Sequence, residues 1–309
     1  MRSNYVWMDG KLVNYEQATV HVLNPTMHYG TGVFEGIRCY ETAKGSAVFR
    51  LREHLQRLIE SVHIVGIDEY PYSVPELYSA VHMTIRANGF SECYIRPFIY
   101  MAGPLTLDLD DWQPVTCIAV WEWAPFLGKD GAEKGARATI SSFTRHHPNA
   151  MMTKAKITGN YVNSTFAMTL AKRSGFDEAI LLDPQGFVAE CSGENIFLVR
   201  DGIILTPPRN SILEGITRDT IITLARDEGY QVVEEQISRD LLYIADEVFL
   251  SGTAAEVVPV VEIDHRPIHR GRRGPVTLRL QALFHETVKG LGAHSPAWLD
   301  YVDETVMAV

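Results

Sequence analysis

Apolar side chains recur at intervals of three and four residues in the stretch that follows residue 50. The members of this stripe are Leu55, Leu58, Ile59, Val62 and Val65. The interval matches one face of an α-helix, so the pattern predicts a helix with a buried stripe. A second helix is predicted to open at residues 75–77, where proline suits the first turn, and to stop at the Asn-Gly pair 88–89.

Strand patterns precede and follow these two helices. Residues 5–8 and 11–13 flank Asp9-Gly10, a pair that readily supplies the positive φ angles of a hairpin turn. The chain is therefore predicted to begin with an antiparallel hairpin. Two longer strands are predicted over residues 92–101 and 115–123.

Residues 125–131 interrupt the pattern with proline, glycine and charge, which is typical of a connection between domains. A chain of 309 residues is also long for one compact unit. We therefore predict an N-terminal α+β domain over 1–124, an interdomain loop over 125–135 and a second domain over 136–309.

The second half of the chain mixes short strands with helices in an irregular order. Strands are predicted at 136–143, 178–182, 195–200 and 203–206, and helices at 160–174, 218–228 and 275–289. Turn-forming residues at 183–186 and 201–202 indicate antiparallel neighbours. The predicted fold class is α+β, because strands and helices do not alternate regularly.

Composition narrows the classes of partner. The chain carries 38 acidic against 28 basic residues and has a pI near 5.6, which argues against a broad nucleic-acid-binding surface. No apolar stretch approaches the roughly 20 residues that a membrane-spanning helix needs, and the first residues lead into a strand pattern. We therefore expect a cytoplasmic protein without membrane contact.

Cysteine and histidine positions do not indicate a metal site or a disulfide framework. The cysteines at 39, 93, 117 and 191 are widely scattered and read as thiols within the core. The adjacent pair His146-His147 has no carboxylate at a suitable spacing. We predict no metal.

Three residue types in the middle of the chain point to chemistry on an aldehyde cofactor. Lys156 can form a Schiff base with pyridoxal 5′-phosphate (PLP), Glu190 can keep the pyridine nitrogen protonated, and Tyr161 adds a phenol. For any single lysine or glutamate, a solvated surface charge is the commoner role. Lys154 and Lys156 would project to the same side if this stretch is extended, and two cations there need a reason.

Two loops are suited to a cofactor phosphate. In residues 213–219, Gly215 permits a tight loop and Thr217 can cap the next helix, whose amides would then face an anion. Residues 251–255 form a second loop of hydroxyl and amide groups, and Arg57, at the edge of the first helical stripe, is the candidate cation. An ordinary helix cap and a surface arginine are the alternatives. The lack of a GxGxxG or Walker A sequence favours one cofactor phosphate over a nucleotide.

Together these motifs resemble those of the branched-chain amino acid aminotransferases, which belong to the fold-type IV (D-amino acid aminotransferase-like) PLP enzymes. The resemblance covers nearly the whole chain. The segments that carry it, in family order, are 28–38, 54–58, 94–97, 155–161, 190–195, 215–218 and 251–256.

The resemblance implies a role for each cofactor-binding residue. Lys156 would carry the Schiff base, Glu190 would bind the pyridine nitrogen, and Tyr161 would donate toward the ring hydroxyl. Leu213 would pack against the ring face. The phosphate would be held by Arg57, Ile216, Thr217 and Thr253. It also implies a small α+β N-terminal domain and a C-terminal pseudo-barrel with PLP between them, in a homodimer at minimum and a hexamer in many bacterial members.

The implied reaction is the ping-pong transfer of the amino group of L-leucine, L-isoleucine or L-valine to 2-oxoglutarate. Tyr94 and Arg96 stand two apart on a predicted strand and so share a face. Tyr94 would bind the substrate α-carboxylate, and Arg96 would meet the distal carboxylate of glutamate. Further substrate contacts are implied for Tyr29, Phe34, Gly36, Arg38, Trp123, Thr253 and Ala254, with Phe126 as an additional candidate. Core packing is the alternative for the aromatic residues.

Several alternatives remain open at this point. Residues 157–158 and Phe126 depart from the commonest pattern of the family. D-amino acid aminotransferases, (R)-selective amine transaminases and aminodeoxychorismate lyases share the lysine and the glutamate, although Phe98 stands where the D-amino acid enzymes usually have histidine. Side activity toward (R)-amines is therefore an open prediction. A non-catalytic α+β binding protein is the alternative from a different class.

Overall fold

Two units make up the computed structural model, which describes residues 3–123 and 131–302. The first unit contains the residues up to Trp123, the segment Ala155–Gly159 and the described residues from Thr287 on. The second contains residues 131–154 and Asn160–Glu286. Each unit is built around one β-sheet.

The elements of the first part of the chain include the predicted ones, in the predicted order. They are β1 (Tyr5–Met8), β2 (Lys11–Asn14), α1 (Pro25–Tyr29), β3 (Val33–Phe34), β4 (Ile37–Thr42), β5 (Gly45–Phe49), α2 (Leu51–Ile64), α3 (Val74–Asn88), β6 (Cys93–Ala102) and β7 (Gln113–Trp121). The predicted hairpin, both helices and both long strands are present, with α1, β3, β4 and β5 in addition.

The remaining elements are more numerous and mostly short. They are α4 (Gly131–Lys134), β8 (Ala136–Ile140), α5 (Asn160–Arg173), β9 (Glu178–Leu182), β10 (Val188–Cys191), β11 (Asn195–Arg200), β12 (Ile203–Thr206), α6 (Ile216–Asp227), β13 (Val232–Glu234), α7 (Arg239–Tyr243), β14 (Glu247–Gly252), β15 (Glu256–Ile263), β16 (Arg266–Pro267), α8 (Pro275–Val288), α9 (Ser295–Trp298) and β17 (Leu299–Tyr301). The strand predicted over 136–143 ends earlier, at Ile140.

The first sheet has the strand order β17-β5-β4-β6-β7-β1-β2, with β3 paired to β6, and its described pairings are antiparallel. Of the predicted helical stripe, Leu55, Leu58 and Val62 are buried in its core beside Leu51, whereas Ile59 and Val65 are only partly buried. Helix α3 packs on α2 and on the sheet. Burial of these apolar faces drives the assembly of the unit.

The second sheet has the order β10-β9-β8-β15-β14-β11-β12-β13, with β16 paired to β15. The predicted antiparallel neighbours are confirmed, because β9 pairs with β10 and β11 with β12 in that sense. Strand β8 is parallel to β9 and to β15, and β12 is parallel to β13. The sheet is thus mixed, and the predicted α+β class is confirmed.

The division into units differs from the predicted domains in two places. Residues 155–159 and the residues from Thr287 on lie in the first unit, whereas the prediction assigned all of 136–309 to the second domain. The reason is hydrogen bonding at a distance along the chain: Ile157 pairs with Val33, and β17 pairs with β5. Of the predicted loop 125–135, residues 125–130 lie outside the described residues, and these include Phe126, a predicted substrate contact.

The stretch that holds Lys154 and Lys156 is not part of a strand, so the condition under which both side chains would project to one side is not met. The two lysines lie in different units, and Lys154 forms an ion pair with Glu214 at 2.8 Å and a hydrogen bond with the carbonyl of Arg209. Lys154 belongs to a surface ion pair, whereas the backbone of Lys156 is hydrogen-bonded to Phe34 and Ser61.

Membrane insertion finds no support among the helices of residues 3–123 and 131–302. None of them combines the length and the apolar character that a membrane crossing requires.

Candidate active site

The backbone around Lys156 is fixed by hydrogen bonds within the first unit. The Lys156 carbonyl accepts from the amide of Phe34 at 3.1 Å, and the Lys156 amide donates to Ser61 Oγ at 3.1 Å. Two residues further on, the Thr158 amide donates to the Gly32 carbonyl at 2.8 Å. The backbone that carries the Lys156 side chain is therefore anchored to β3 and its neighbour Gly32 on one side and to α2 on the other.

The amine of Lys156 lies over an aromatic ring. Its Nζ is 5.1 Å from the centroid of the Phe34 ring, and the residue is half-buried. The negative face of an aromatic ring stabilises a nearby cation and favours one orientation of the side chain. Phe34, one of the predicted substrate contacts, thus also packs against the predicted catalytic lysine.

Arg96 and Tyr94 share one face of β6, as predicted. The Arg96 Nη2 donates to the Tyr94 hydroxyl at 3.5 Å, and the guanidinium carbon is 4.7 Å from the Phe34 ring and 5.8 Å from the Trp121 ring. Trp123 packs on Tyr94 with 4.6 Å between ring centroids. One cation is therefore surrounded by apolar ring surface.

Gly36 is required by the close approach of Tyr94. A Cβ atom built at Gly36 would overlap the Tyr94 hydroxyl. Tyr29, at the end of α1, stacks on Trp112 with 6.0 Å between centroids. The other arginine of this region, Arg38, has its guanidinium 2.7 Å from Glu92 Oε1 and over the Tyr40 ring at 4.5 Å, and its contact with substrate stays a prediction.

Arg57, the predicted phosphate cation, is paired with a glutamate that the sequence did not single out. Its Nε and Nη2 donate to the two oxygens of Glu35 at 2.6 and 2.9 Å, and His54 Nδ1 lies 2.7 Å from the same carboxylate. Burial raises the pKa of Glu35, but the charge of Arg57 and the hydrogen bonds with Arg57 and His54 outweigh burial and hold the pKa well below its usual range. Glu35 is therefore ionised and fully buried.

Glu190, in the second unit, is surrounded by donors. Arg145 Nε is 2.6 Å from its Oε1, while the Leu213 amide and Asn195 Nδ2 donate to its Oε2 at 3.1 and 3.2 Å. One carboxylate oxygen thus lies within ion-pair distance of an arginine, and the other accepts two hydrogen bonds. A buried negative charge is what a protonated pyridine nitrogen would require.

Helix α6 begins one residue earlier than the predicted cap. Gly215 is the N-cap, and Thr217 is buried within the first turn, so the expectation that Thr217 caps the helix is wrong. A Cβ atom at Gly215 would overlap Asn195 Oδ1, which explains the glycine by close approach. Because glycine has no side chain to occupy the helix amides, this N-terminus suits an anion.

The other predicted cofactor and substrate residues of the second unit lie at the ends of elements. Thr253 and Ala254 form the turn between β14 and β15, after Ser251, whose buried hydroxyl has no hydrogen-bond partner within the described parts of the chain. Ile216 is buried at the start of α6, and Tyr161 is half-buried in the first turn of α5. Their contacts with ligands stay predictions.

The residues present fit PLP. Taken by itself, the first unit contains an amine and an oriented guanidinium, and the second contains a buried carboxylate paired with an arginine and helix amides that no side chain of the N-cap residue can occupy. These are the groups that an aldehyde, a phosphate and a pyridine nitrogen would need. Arg145, His54 and Glu35 were missed by sequence reasoning, since each acts through a partner that is distant along the chain.

Comparisons with known proteins assign the chain to a family. The amino-transferase class IV family matches residues 32–263. The branched-chain-amino-acid aminotransferase of Pseudomonas aeruginosa is 46% identical over 298 residues, which cover 96% of this chain and 97% of that protein. The chain belongs to the class IV aminotransferase family.

Solved structures give the same result. The crystal structure of the Escherichia coli branched-chain amino acid aminotransferase superposes with a TM-score of 0.95 at 43% identity, covering 98% of this chain and 100% of that one. The branched-chain amino acid aminotransferase from Thermobaculum terrenum, in its PLP-form, superposes with a TM-score of 0.91 at 34% identity and covers 97% of this chain and 99% of that one. The predicted family and fold-type IV architecture are confirmed.

Proposed function

We propose that this chain is a PLP-dependent aminotransferase that transfers the amino group of L-leucine, L-isoleucine or L-valine to 2-oxoglutarate. The observation that carries the proposal is the position of Phe34, whose ring lies against both the Lys156 amine and the Arg96 guanidinium. A nucleophilic amine, a carboxylate-binding cation and an apolar surface therefore meet at one ring. Relatives that are 46% and 43% identical are named branched-chain-amino-acid aminotransferases, which supports the proposal.

Each proposed cofactor residue has a separate task. PLP, when bound, supplies an aldehyde that condenses with amines and a ring that accepts the electrons of the bond broken at the substrate Cα. Lys156 would hold the aldehyde through its amine, and the free amine would move a proton at the substrate Cα. Glu190 keeps the proton on the pyridine nitrogen, and Tyr161 donates to the ring hydroxyl.

The phosphate and the remaining ring contacts follow from the same proposal. Arg57 and the amides of Ile216 and Thr217 bind the phosphate, since a guanidinium and a helix N-terminus both favour an anion. Thr253 adds a hydroxyl donor, and Leu213 packs on the ring.

The substrate wall serves two kinds of side chain in turn. Arg96, with Tyr29, binds the distal carboxylate of glutamate, and the aromatic rings of Phe34 and Trp123 contact the branched aliphatic chains. Tyr94 holds the α-carboxylate together with the turn amides of Thr253 and Ala254, and Gly36 leaves room for the tyrosine. Because one methylene in an apolar pocket changes the free energy by only ~1–3 kcal/mol, we expect modest discrimination among leucine, isoleucine and valine.

The test is the visible absorption spectrum of the PLP-loaded protein, recorded before and after addition of L-leucine, D-alanine or (R)-1-phenylethylamine. We expect L-leucine to convert the visible band rapidly to that of the amine form of the cofactor, and the other two amines to act slowly. A faster response to D-alanine or to the (R)-amine would assign the chain to a sister specificity. A Lys156→Ala variant serves as the control and should show neither the band nor turnover.

We further propose that the chain forms at least a homodimer. Apolar side chains are exposed on and before α1 and in the loop after β6, among them Val22, Leu23, Met27 and Leu107. The stack of Tyr29 on Trp112 joins these two segments. A contiguous exposed apolar patch favours association with a second surface, and a second copy of the chain is the proposed occupant. A hexamer, the predicted domain bounds and a cytoplasmic location stay predictions.

A further inference from the structure

Glu35 is a buried charge in an unusual place. It lies in the two-residue link between β3 and β4, and none of its surface is exposed. Its amide donates to the Pro97 carbonyl at 2.9 Å, so the link is held against β6. Moving a carboxylate out of water is costly, and a charge in this position therefore requires strong partners.

Those partners come from one face of α2. Arg57 binds Glu35 through two parallel hydrogen bonds, Nε to Oε1 at 2.6 Å and Nη2 to Oε2 at 2.9 Å. His54, one turn earlier on the same helix, places Nδ1 2.7 Å from Oε2. Two parallel bonds fix the plane of a guanidinium as well as its distance, which a single bond does not.

Glu35, His54 and Arg57 form a cluster whose side chains differ in exposure to solvent. The Glu35 and His54 side chains are 0% and 2% exposed, whereas the Arg57 side chain is 12% exposed. The carboxylate thus holds the arginine from the buried side. A guanidinium has five N–H donors, and a carboxylate bound at the Nε and Nη2 edge directs the Nη1 side away from itself.

The residue before Glu35 connects this cluster with the catalytic lysine. Phe34 donates its amide to the Lys156 carbonyl, and its ring lies 5.1 Å from the Lys156 amine. Ser61, one turn beyond Arg57 on α2, accepts from the Lys156 amide and donates to the Arg57 carbonyl at 2.9 Å. The segment that presents the lysine and the helix that presents the arginine are therefore held by the same few hydrogen bonds.

We propose that Glu35, assisted by His54, is a positioning residue that fixes the Arg57 guanidinium in the orientation that binds the cofactor phosphate. The inference rests on the proposed function, in which Arg57 contacts that phosphate. Glu35 itself touches neither cofactor nor substrate. Its carboxylate selects one plane of the guanidinium before the phosphate arrives, so binding does not have to order the arginine side chain.

The experiment compares two ligands that differ only in the group that Arg57 binds. Binding of PLP and of pyridoxal, which lacks the phosphate, is measured by absorbance titration for the natural protein, Glu35→Gln, Glu35→Asp and Arg57→Ala. We expect Glu35→Gln to weaken PLP binding about 10- to 100-fold, the usual effect of removing a residue that orients a ligand-binding group, with pyridoxal binding changed less than twofold. Glu35→Asp keeps the charge but shortens the side chain, and it should give a smaller loss of the same selectivity.

A double variant tests whether Glu35 acts through Arg57. If it does, Glu35→Gln combined with Arg57→Ala binds PLP no more weakly than Arg57→Ala alone. Equal losses for PLP and pyridoxal, or additive losses in the double variant, would overturn the proposal. If the natural protein binds neither ligand, the proposed function fails instead, so the two failures are distinguishable.

A matched control separates positioning from general destabilisation. Glu247 is also a buried glutamate with several hydrogen bonds, and it caps helix α8. Glu247→Gln should lower the melting temperature without altering the ratio of PLP to pyridoxal affinity. Should Glu35→Gln fail to fold, Glu35→Asp, with its melting temperature recorded without ligand, carries the same test. A ratio that changes as much in Glu247→Gln as in the Glu35 variants would also overturn the proposal.

Discussion

At the scale of single residues, the charged groups of the site are held by partners that are themselves buried. Glu190 is bound by Arg145, and Arg57 is bound by Glu35, with distances of 2.6 Å in both pairs. Attraction between such charges offsets the cost of removing both from water only while both are present. The two charges of each pair therefore depend on each other. Removal of one leaves the other buried without a partner, which lowers the stability of the protein.

Arg145, whose side chain is 8% exposed, offers a direct test of such a pair. Arg145→Gln should lower the free energy of unfolding of the cofactor-free protein by about 3–5 kcal/mol, because it leaves Glu190 as a buried charge without its cation. Urea unfolding measures the loss. Glu190→Gln added to this variant should recover part of the stability, since no charge then remains. If the double variant is less stable than either single one, the two residues do not stabilise each other.

The residues found from the sequence and those missed differ in a physical sense. Lys156, Glu190 and Arg57 stand out because their own chemistry matches an aldehyde, a pyridine nitrogen and a phosphate. Glu35 and Arg145 stand out only through their partners, which are brought close by folding. A single sequence carries the first kind of information, but the second requires the register of strands and helices.

At the scale of elements, the start of a helix can be predicted from the sequence when its cap is local, but not when its cap comes from a distant strand. Helix α3 begins at a capping box formed by Ser73 and Glu76, so its start could be predicted from the sequence. Helix α8 is capped instead by Glu247 of β14, whose carboxylate accepts from the amides of Val276 and Thr277 at 2.9 and 2.8 Å. No local pattern indicates a cap that comes from another strand. The parallel pairings of β8 were missed for the same reason.

The cap of α8 can be tested directly. Glu247→Gln should lower the free energy of unfolding by about 1–3 kcal/mol, because a neutral amide cannot accept at both ends from the two amides and the Thr277 hydroxyl. Thermal melting of the variant measures the effect. Glu286→Gln removes the same charge from the exposed side of the same helix and should melt within about a degree of the unchanged protein. An equal shift in both variants would mean that net charge, and not capping, is responsible.

At the scale of the whole molecule, one chain forms two sheets that differ in the direction of their neighbouring strands. The first sheet is antiparallel in its described pairings and rests on α2 and α3, whereas the second is mixed. Residues 155–159 leave the second unit to pair with β3, and this excursion places Lys156 on the sheet that also carries Tyr94 and Arg96. The sequence could predict the fold class, but it could not predict that Lys156, the proposed catalytic lysine, would be held by the first unit.

Association of the whole chain can be tested at the exposed apolar patch of the first unit. Leu107 is 84% exposed and Met27 is 63% exposed, on neighbouring segments of that unit. Leu107→Asp with Met27→Asp should shift the protein from a homodimer to a monomer of 34.7 kDa in sedimentation velocity, because a carboxylate buried at an apolar interface is costly. Leu291 is similarly exposed at 77% but belongs to another segment, so Leu291→Asp should leave the dimer intact. If the natural chain sediments as a monomer, or if Leu291→Asp dissociates the dimer as readily, then the patch formed by α1 and the loop after β6 is not the interface. A hexamer that the paired substitutions reduce to a smaller assembly would keep this patch as one of its contacts.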